Sequence, residues 1–581
     1  MENARTWRAR LRQAANRRHA RKASKVAIDT SFVTQPEPRT IGHFARGRQL
    51  INGNFLFSGT LNQAPDTSIW DIAPDDARIM VEIQGCDWLD DLAAVGDVRA
   101  RAKAQTWVID WVDRYGQGNG VGWTPSLTGR RLIRWINHAA FIQRGQNDRI
   151  AAEFFPSLGQ QTLFLSKRWR ATSPGLGRFE AIVGTIIAGI ALDGFGHIVL
   201  PAVDALAADC DSQIDQEGGV PTRNPSHLLE IFTLVTWAFQ SLSDAGQTPP
   251  HQLHAALSRM APTLRALRHA DGGLARFHGG GRGIDGRLDH ALADSKVRIG
   301  PSEQDALHMG FARISAGRTS LIVDASSPPS GPASVSAHAS TLAFELTSGR
   351  RPLVVNCGSG GSFGDDWRRA GRATPSHSTL CLDGMSSSRL GKPTKGRNGK
   401  EELTETPAEV RCEFTVLDDG RRLELSHDGY RPEHGLTHAR IIEVSHDGRS
   451  IVGEDYVAAV EDPDKKRFWG KSETSAEAIT FNIRFHLHPD VDATVDLSGN
   501  AVSMVLKSGE VWVFRHDGAA RLAMEPSVYL ESGRLKPRAA QQVVLSSAAL
   551  DYANRVRWSF AKAQDTPDAV RDLSPAETVD G

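Results

Sequence analysis

The spacing of apolar residues changes from a helical period to a strand period near the middle of the chain. Between Asp97 and about Ala270, apolar residues recur every three or four positions, which predicts amphipathic helices. The predicted helices cover residues 97–115, 126–144, 150–171, 178–193, 199–214, 225–243 and 249–268. Short connections rich in Gly, Pro, Asn and Asp indicate helical hairpins packed side by side, which form either a curved ring or a solenoid.

From Asp305 to about Phe560 the pattern is one of short β-branched, aromatic and apolar runs between turn signals. Predicted strands lie at residues 310–323, 341–347, 352–356, 378–382, 408–414, 422–426, 439–445, 479–486, 501–507, 510–515 and 541–545. Many short strands joined by turns predict a large antiparallel β-sandwich. The expected fold class is therefore a multidomain α+β protein, with the helical domain first.

The length of 581 residues is too great for one hydrophobic core, so two large domains are expected. We predict a basic N-terminal arm at residues 1–40, a helical domain at 41–300, the β-sandwich at 301–562 and a disordered tail at 563–581. Asp, Pro and Ala dominate the tail, and this composition does not favour a packed core.

Charge is balanced over the whole chain but not along it. There are 68 basic and 68 acidic side chains, so no overall field attracts polyanions, and nucleic acid is not an expected partner. The first 25 residues, however, hold nine Lys or Arg and one acid. This segment is either a solvated arm or a short amphipathic helix, with Trp7 and Leu11, that contacts an anionic membrane surface.

Two absences bear on the compartment. No apolar run follows the basic segment, so a secretory signal is not expected, and no apolar stretch is long enough to span a bilayer. The five cysteines are scattered without CxxC spacing, which argues against a disulfide framework and against a cysteine zinc site. A cytoplasmic or envelope-associated protein with reduced thiols is expected.

Reactive side chains lie at the edges of three consecutive predicted strands in the β half. His338 precedes the first strand, Asn356 closes the second and His377 opens the third. If the three strands are neighbours in a sheet, these side chains lie together at one edge. They are the first candidates for a functional site.

In this region the chain resembles the heparinase II/III family of polysaccharide lyases. The resemblance rests on LRHADGGLARF from Leu267, HAxxLxFE from His338, VVNCG from Val354 and HSTL from His377, and it extends over roughly residues 40–550. It implies an incomplete (α/α) toroid followed by a β-sandwich, with β-elimination beside a uronic acid in the cleft between them. The implied partner is an acidic, glycosaminoglycan-like polysaccharide.

β-Elimination needs a group that neutralises the uronate, a base for its α-proton and an acid for the leaving oxygen. The turn before one predicted helix resembles the family's Gly-Gly…Arg-Ser/Asn-Pro turn. The resemblance implies that Arg223 and Asn224 neutralise the carboxylate. It also implies proton transfer by His227 or His338. From the residues alone, Asn224 before Pro225 is equally a helix N-cap, and His227 is equally a partly exposed helix side chain.

The resemblance also implies zinc, with His338 and His377 at the positions of two family ligands. The third ligand is a carboxylate in the family, and its position is occupied by Asn356 here. Zinc prefers carboxylate, imidazole or thiolate to a carboxamide. Zinc stays a possible cofactor, and a hydrogen-bonded pair of histidines without a metal is the alternative.

Substrate-binding roles are predicted for residues near the expected cleft. Two lie in a glycine-dense loop at the domain junction and four lie around one predicted helix: Arg276 and His278, then Trp123, Arg130, Arg131 and Trp135. Cations and aromatic faces of this kind bind acidic sugars. Taken singly, each charged residue is equally a surface charge and each tryptophan equally a core residue.

Several family positions carry other residues. The first histidine of the family's His-x-His pattern matches Ser336, and an Asn-His pair before an inner helix has become Leu176 and Gly177. None of the five tyrosines lies in the later helices, where a base is expected, and Tyr430 would have to be presented from the β half. Three functions stay open: a uronate-eliminating lyase, a glycan-binding or export-associated protein that has lost the chemistry, and hydrolysis by paired carboxylates.

Overall fold

The computed structural model describes residues 2–33, 37–145, 148–298, 300, 305–382, 384–392, 401–474 and 478–565. Within these residues the predicted fold class is confirmed, because an incomplete (α/α) toroid precedes a large antiparallel β-sandwich. The last toroid helix ends at Ser295 and the first sandwich strand begins at Phe311. Most of the predicted tail, residues 566–581, lies outside the described residues.

The helices of the first half follow the predicted segments closely. They are α1 (Glu2–Ala23), α2 (Phe44–Ile51), α3 (Ala77–Gln84), α4 (Asp87–Val95), α5 (Val98–Tyr115), α6 (Pro125–Asn137), α7 (Ala139–Gln143), α8 (Asp148–Arg168), α9 (Leu176–Ala191), α10 (Val199–Gln213), α11 (Pro225–Asp244), α12 (His251–Ala266) and α13 (Arg287–Ser295). A short hairpin of β1 (Asn54–Phe57) and β2 (Thr60–Gln63) lies between α2 and α3. The predicted helix at 126–144 is divided at His138 into α6 and α7.

α9 is the central helix of the toroid. It packs against α6, α8, α10 and α11, which explains why it is apolar on all sides beyond Arg178 and Glu180 near its start. Its approach to α6 is close, since a Cβ on Gly184 would lie 2.5 Å from Cα of Gly129. Tryptophans of the first helices fill one end of the core with edge-to-face contacts, among them Trp70, Trp88, Trp107, Trp111 and Trp135.

The N-terminal helix α1 is folded onto the toroid and is not a separate arm. Ala20 and Ala23 are buried, and α1 packs along α8, where Arg168 donates to the side chain of Asn16. Trp7 is 64% exposed. Among the described residues no helix is both long and apolar enough to cross a membrane.

The strands of the second half form two large sheets and one small sheet of two strands, Arg389–Leu390 and Leu403–Glu405. They are β3 (Phe311–Ala316), β4 (Thr319–Asp324), β5 (Phe344–Ser348), β6 (Arg351–Val355), β7 (Leu380–Leu382), β8 (Arg389–Leu390), β9 (Leu403–Glu405), β10 (Val410–Val416), β11 (Gly420–Tyr430), β12 (Leu436–Ser445), β13 (Ser450–Ala458), β14 (Ile479–Leu487), β15 (Asp492–Val495), β16 (Ala501–Val505), β17 (Val511–His516), β18 (Arg521–Tyr529), β19 (Arg538–Ala549) and β20 (Ala553–Gln564). One sheet has the order β10-β11-β12-β13-β20-β17-β16-β15, and the other has the order β18-β19-β14-β6-β5-β4-β3 with β7 beside β14. The second half also contains α14 (Asp365–Gly371), α15 (Arg431–His434) and α16 (Asp462–Thr474).

The three strands that carry the reactive side chains pair differently from the prediction. β5 pairs with β6, but β7 pairs with β14 and not with either of them. β14 pairs with β6 through His486 and with β7 through Phe481 to Ile483, so β6 and β7 lie end to end along one side of β14. This arrangement still brings Asn356 beside Ser378, whose backbone N–H donates to its side-chain oxygen at 3.0 Å.

Two of the contacts between the toroid and the sandwich involve the β1–β2 hairpin and a glycine-dense loop. The tip of the β1–β2 hairpin meets the sandwich, where a Cβ on Gly59 would lie 1.5 Å from the carbonyl oxygen of Ser362. The second contact is the glycine-dense loop that follows α12. A Cβ on Gly279 in this loop would lie 2.9 Å from Cβ of Ser336, and one on Gly280 would lie 2.9 Å from Oδ1 of Asn224. Glycine is required here because the loop fills the space between the two domains.

Candidate functional site

A buried carboxylate, Asp324 at the end of β4, joins the two domains. Its Oδ1 accepts from Nη2 of Arg223 at 2.6 Å, and its Oδ2 accepts from the hydroxyl of Ser340 at 2.6 Å. Nε2 of His278 lies 3.3 Å from the same Oδ2. The turn before α11, the glycine-dense loop and the loop before β5 therefore meet on one side chain. With His338 and His377, these residues form what we call the junction cluster: Asp324, Arg223, His278, His338 and His377.

Arg223 uses all its donors within the protein. Besides Asp324, its guanidinium donates to backbone carbonyls on either side of β3 and β4, those of Met309, Gly310, Ser326 and Ser327. The five N–H groups of a guanidinium are thus all occupied. Burial alone would raise the pKa of Asp324, but the charge of Arg223 and the contacts from His278 and Ser340 lower it overall. Arg223 is a cross-link between the domains and offers no free N–H to a uronate.

The histidines of the junction cluster form a directed chain. Nδ1 of His377 lies 2.9 Å from the carbonyl oxygen of Ala373, which only accepts, so Nδ1 of His377 carries a proton. Nε2 of His377 then accepts from Nδ1 of His338 at 3.0 Å. Nδ1 of His278 accepts from the backbone N–H of His338 at 3.2 Å. Nε2 of His338 has no hydrogen-bond partner among the described residues.

Burial keeps these imidazoles neutral. Burial and the neighbouring His377 lower the pKa of His338 well below its ordinary value, and burial lowers the pKa of His377 to about 4. Burial also lowers the pKa of His278, against the opposing effect of Asp324. His338 is 2% exposed, so its free nitrogen faces at most a narrow opening.

Backbone strain surrounds the same carboxylate. Four non-glycine residues next to Asp324 have positive φ: Arg223 at 47°, His278 at 48°, Met309 at 53° and Leu342 at 63°. Each such residue costs on the order of 1 to 3 kcal/mol and persists only where its surroundings enforce it. No sequence pattern announces this strain, which is a frequent property of functional and switching sites.

A second buried charge cluster lies behind the histidine loops and was missed in the sequence. Arg440 donates from Nε and Nη2 to Asp455, at 2.8 and 3.0 Å, and from Nη1 to the carbonyls of Leu342 and Ser378. Asp455 also lies 2.7 Å from Nε2 of His438. We call Asp455, Arg440 and His438 the sandwich cluster. The signal was present, because Arg440 occupies an inward position of the alternating strand β12.

The donor set at the junction does not fit the zinc implied by the family resemblance. His338 and His377 share one hydrogen bond, and Oδ1 of Asn356 accepts from the backbone of Ser378. Among the described residues, no group of three His, Cys, Asp or Glu side chains is placed to hold a metal ion. Two imidazoles and an engaged carboxamide do not make a zinc site.

The remaining predicted catalytic residues lie at the start of α11. Oδ1 of Asn224 accepts from the backbone N–H groups of Ser226 and His227, which is the N-cap alternative considered above. His227 is half-buried, its Nδ1 lies 3.3 Å from the hydroxyl of Thr222, and burial lowers its pKa. The roles predicted for these two residues in catalysis stay predictions.

Three of the predicted substrate-binding residues belong to the helical core. Trp123 is 3% exposed and donates to the carbonyl of Tyr115, and Trp135 is fully buried. Arg131 is also fully buried, stacks over Trp111 at 4.1 Å and donates to Gln161. None of the three presents a polar atom to a ligand in this structure, which differs from the expectation.

The two predicted binding residues of the glycine-dense loop are held in the junction. His278 belongs to the junction cluster. Arg276 stacks over the ring of Tyr529 at 3.9 Å, and its Nη2 donates to the carbonyls of Cys357 and Leu530. Its backbone N–H donates to Glu345. Arg276 therefore ties the loop to the sandwich.

Arg130, the remaining predicted binding residue, lines a cavity. This space of about 190 Å³, which we call the toroid cavity, is surrounded by α4, α6, α11 and α13 and by α2 with the segment before it. Its charged lining consists of Arg39, Arg46, Arg130, Arg134 and Arg287 with Asp87, Asp90, Asp91, Glu230 and Asp294. Burial raises the pKa of Asp91 to about 6, although Arg46 and the backbone of His43 oppose this rise.

Comparison with known proteins agrees with this architecture. Residues 298–559 match the model of the heparinase II/III-like C-terminal domain. The chain is 29% identical over 535 residues to FtsZ-localized protein C of Caulobacter vibrioides, covering 91% of this chain and 89% of that protein.

Solved structures show the same fold over most of the chain. A heparinase III structure superposes with a TM-score of 0.67 at 13% identity, covering 93% of this chain and 88% of its own. The heparan sulfate lyase HepC of Pedobacter heparinus, as a mutant, gives 0.57 at 15% identity, covering 96% and 89%. Residues 298–559 therefore form a heparinase II/III-like C-terminal domain, and the fold of the chain is similar to that of heparinase III and of HepC.

Proposed function

We propose that this chain binds a polysaccharide without cleaving it. The observation that carries the proposal is the closed state of the junction cluster. Arg223 spends its five N–H groups on Asp324 and four carbonyls, and the histidines beside it are 0 to 2% exposed. A β-eliminating site needs a free cation for the uronate and an accessible base.

The tyrosine of the β half supports the same proposal. Tyr430 is fully buried in the sandwich, its hydroxyl donates to the carbonyl of Leu380 at 3.0 Å, and burial raises its pKa well above the ordinary value. A tyrosine in this state neither reaches a ligand nor ionises at neutral pH. It is therefore unsuited to act as the base.

A second candidate function, elimination across a uronate, is favoured by one observation. His338 is neutral and its Nε2 lone pair has no partner among the described residues, which is the state that a general base requires. In that candidate His338 takes or delivers the proton, with His227 at the start of α11 as the other exchanging group. Arg223 and Asn224 would neutralise the carboxylate only after the junction opens.

The two candidates are separated by incubating the full chain with heparan sulfate. We expect retarded migration of the protein in affinity electrophoresis and no ultraviolet absorbance from unsaturated uronate. Appearance of that absorbance, and its loss in His338→Ala but not in the exposed-site control Arg449→Gln, would establish the lyase instead. Absence of both binding and product across acidic and neutral polysaccharides would remove both candidates.

We also propose that the chain works beside the division apparatus. The support is the name of the Caulobacter relative, an FtsZ-localized protein that aligns with 91% of this chain. Such a role places the protein in the cytoplasm or at the envelope. The exposed basic side chains of α1, including Arg17, Arg18 and Arg21, are suited to an anionic membrane surface.

Co-sedimentation tests both parts of this second proposal. We expect the full chain to pellet with FtsZ polymers, and to pellet with vesicles containing anionic lipid but not with neutral vesicles. Replacing Arg17, Arg18 and Arg21 by Gln is expected to reduce vesicle binding and to leave FtsZ binding unchanged. Failure to pellet with polymers would refute the division-site role whatever the vesicles show.

A further inference from the structure

The size of the toroid cavity limits the kind of ligand that it can hold. Its volume of about 190 Å³ equals the share of about six water molecules. It is smaller than the pockets of roughly 300–1,000 Å³ that take drug-sized ligands. A space of this size admits one sugar ring and excludes a folded or branched segment.

The cations around the cavity are all engaged with acids. Arg134 lies 2.6 Å from Asp87 and 3.0 Å from Asp90. Arg287 lies 2.8 Å from Glu230. The other pairs are Arg130 with Asp87 and Glu180, Arg46 with Asp91 and Glu82, and Arg39 with Asp244. Four of the five arginines thus pair with a carboxylate of the same lining, whereas Arg39 pairs with Asp244 outside it, and the fifth lining acid, Asp294, pairs with His290. Because the lining holds five arginines and five carboxylates, it has no excess of permanent positive charge for an acidic ligand.

The polar and apolar parts of the wall are arranged as a sugar requires. Paired guanidinium and carboxylate groups present donors and acceptors side by side, which matches neighbouring hydroxyl groups. Trp237, Ile41, Ile284 and Ala291 add apolar surface to the same cavity. An amphipathic, uncharged ring satisfies both parts, whereas a carboxylate or sulfate would have to displace an existing ion pair.

We infer that the toroid cavity binds a single neutral sugar unit of a polysaccharide. This inference rests on the proposal that the chain binds a glycan, and it differs from the acidic ligand that the family resemblance implies. Arg287 and Glu230 decide the charge preference, because they form an ion pair between α13 and α11 with partly exposed side chains, 22% and 36%. The remaining ion pairs position the ring's hydroxyl groups.

Ligand-observed NMR on the full chain tests the inference, with N-acetylglucosamine and glucose as neutral probes and glucuronate as the acidic probe. We expect saturation transfer to both neutral sugars and affinity for glucuronate at least about tenfold weaker. Ala291→Phe, which fills the cavity from α13, is expected to abolish transfer to the neutral sugars. Arg449→Gln, which breaks an exposed ion pair with Asp565 on the sandwich, is the matched control and should change nothing.

The pair Arg287 and Glu230 gives two variants with opposite expected effects. Glu230→Gln leaves Arg287 uncompensated, so the ratio of neutral to acidic affinity should fall at least about tenfold. Arg287→Gln leaves Glu230 uncompensated, so the same ratio should rise. Thermal unfolding of each variant, followed by circular dichroism, shows whether it is folded, and the ratio within one variant does not depend on its stability.

The outcomes separate this inference from the proposed function. Tighter binding of glucuronate than of the neutral sugars, or an unchanged ratio in both charge variants, would overturn the inference while a glycan-binding function stands. Neutral-sugar binding that survives Ala291→Phe would place the ligand elsewhere and also overturn it. Lack of binding to every monosaccharide and to every polysaccharide tested would overturn the function and the inference together.

Discussion

The junction cluster and the sandwich cluster contain the same chemistry in two different settings. Each has a fully buried aspartate held by an arginine and a histidine: Asp324 with Arg223 and His278, and Asp455 with Arg440 and His438. In each, the charges of the partners lower the carboxylate pKa against the effect of burial. The buried ion pair alone therefore does not mark a functional site.

What differs is the origin of the partners. The sandwich cluster takes its three residues from neighbouring strands, with Arg440 directly opposite Asp455 in the β12–β13 register. The junction cluster takes its residues from five separate segments of both domains, and positive-φ residues lie within and around it. The first arrangement fixes the interior of one domain, and the second couples two domains through a strained contact.

Removal of the arginines should give the largest effects. Arg223→Met and Arg440→Met each leave a buried carboxylate without its cation, so each should lower the free energy of unfolding by about 3 to 5 kcal/mol. Urea unfolding followed by circular dichroism measures this loss. Arg449→Gln, which breaks an exposed ion pair, serves as the control and should leave the free energy of unfolding nearly unchanged.

The two arginine variants should differ in a second measurement, the rate of tryptic cleavage. Arg223 ties the turn before α11 to carbonyls of the β half, so Arg223→Met should speed tryptic cleavage within the glycine-dense loop, at Arg276 or Arg282, without denaturant. Arg440 lies within the sandwich, so Arg440→Met should leave that rate unchanged. Equal acceleration of cleavage in both variants would contradict the conclusion that Arg223 couples the two domains whereas Arg440 stabilises only the interior of the sandwich.

Lowering the pH should destabilise the fold through protonation of His377 in the junction cluster. Burial lowers its folded pKa to about 4, while the unfolded pKa is about 6.5. Between these values the unfolded chain binds a proton that the folded chain excludes, so stability is complete above pH 6.5 and is lost as the pH falls toward 4. His377→Gln should reduce this acid-dependent loss by roughly 2 to 3 kcal/mol.

The measurement is the free energy of unfolding of both proteins at pH 7 and pH 4. His486 and His488, whose pKa values burial also lowers to about 4, remain in the variant, so part of the pH dependence should persist. His438→Gln, the same substitution in the sandwich cluster, is measured at the same two pH values so that the two clusters can be compared. If His377→Gln keeps the full acid-dependent loss, His377 is not the neutral buried group described here.

Much of the fold could be predicted because buried apolar residues recur at regular spacings along the sequence. Each long toroid helix has an apolar face of period three to four, and the helices from α5 to α12 were predicted within a few residues. β13 and β20 were missed: β13 carries the buried Asp455 at an inward position, and β20 carries Arg555 and Arg557 at outward positions. The sequence could not show that β7 pairs with β14 and not with β5 or β6, because β14 follows about a hundred residues later.

The sequence predicted which residues form the site, but it did not predict how they are hydrogen-bonded. Arg223, His278, His338 and His377 were each chosen from the sequence, and the structure brings all four together. The sequence could not show that Arg223 is fully engaged, because four of its acceptors are backbone carbonyls, which every residue type possesses. Asp324 closes an apolar strand and carried no motif of its own.

The smallest effect that we predict isolates the domain contact within one loop. Gly279 and Gly283 have nearly the same backbone conformation, with φ of 87° and 86°. A Cβ on Gly279 would lie 2.9 Å from Cβ of Ser336, whereas one on Gly283 would meet nothing within 4 Å. Gly283→Ala should therefore cost only the backbone strain, about 1 kcal/mol, and Gly279→Ala should cost about 1 to 3 kcal/mol more.

The difference between these two variants measures the packing of the loop against the sandwich, because the strain term is common to both. Gly279→Ala should also accelerate tryptic cleavage of the loop, as Arg223→Met does, whereas Gly283→Ala should not. Equal stabilities would mean that Ser336 moves aside without resistance. The contact would then be a loose one, and the coupling of the domains would rest on Arg223 and Asp324 alone.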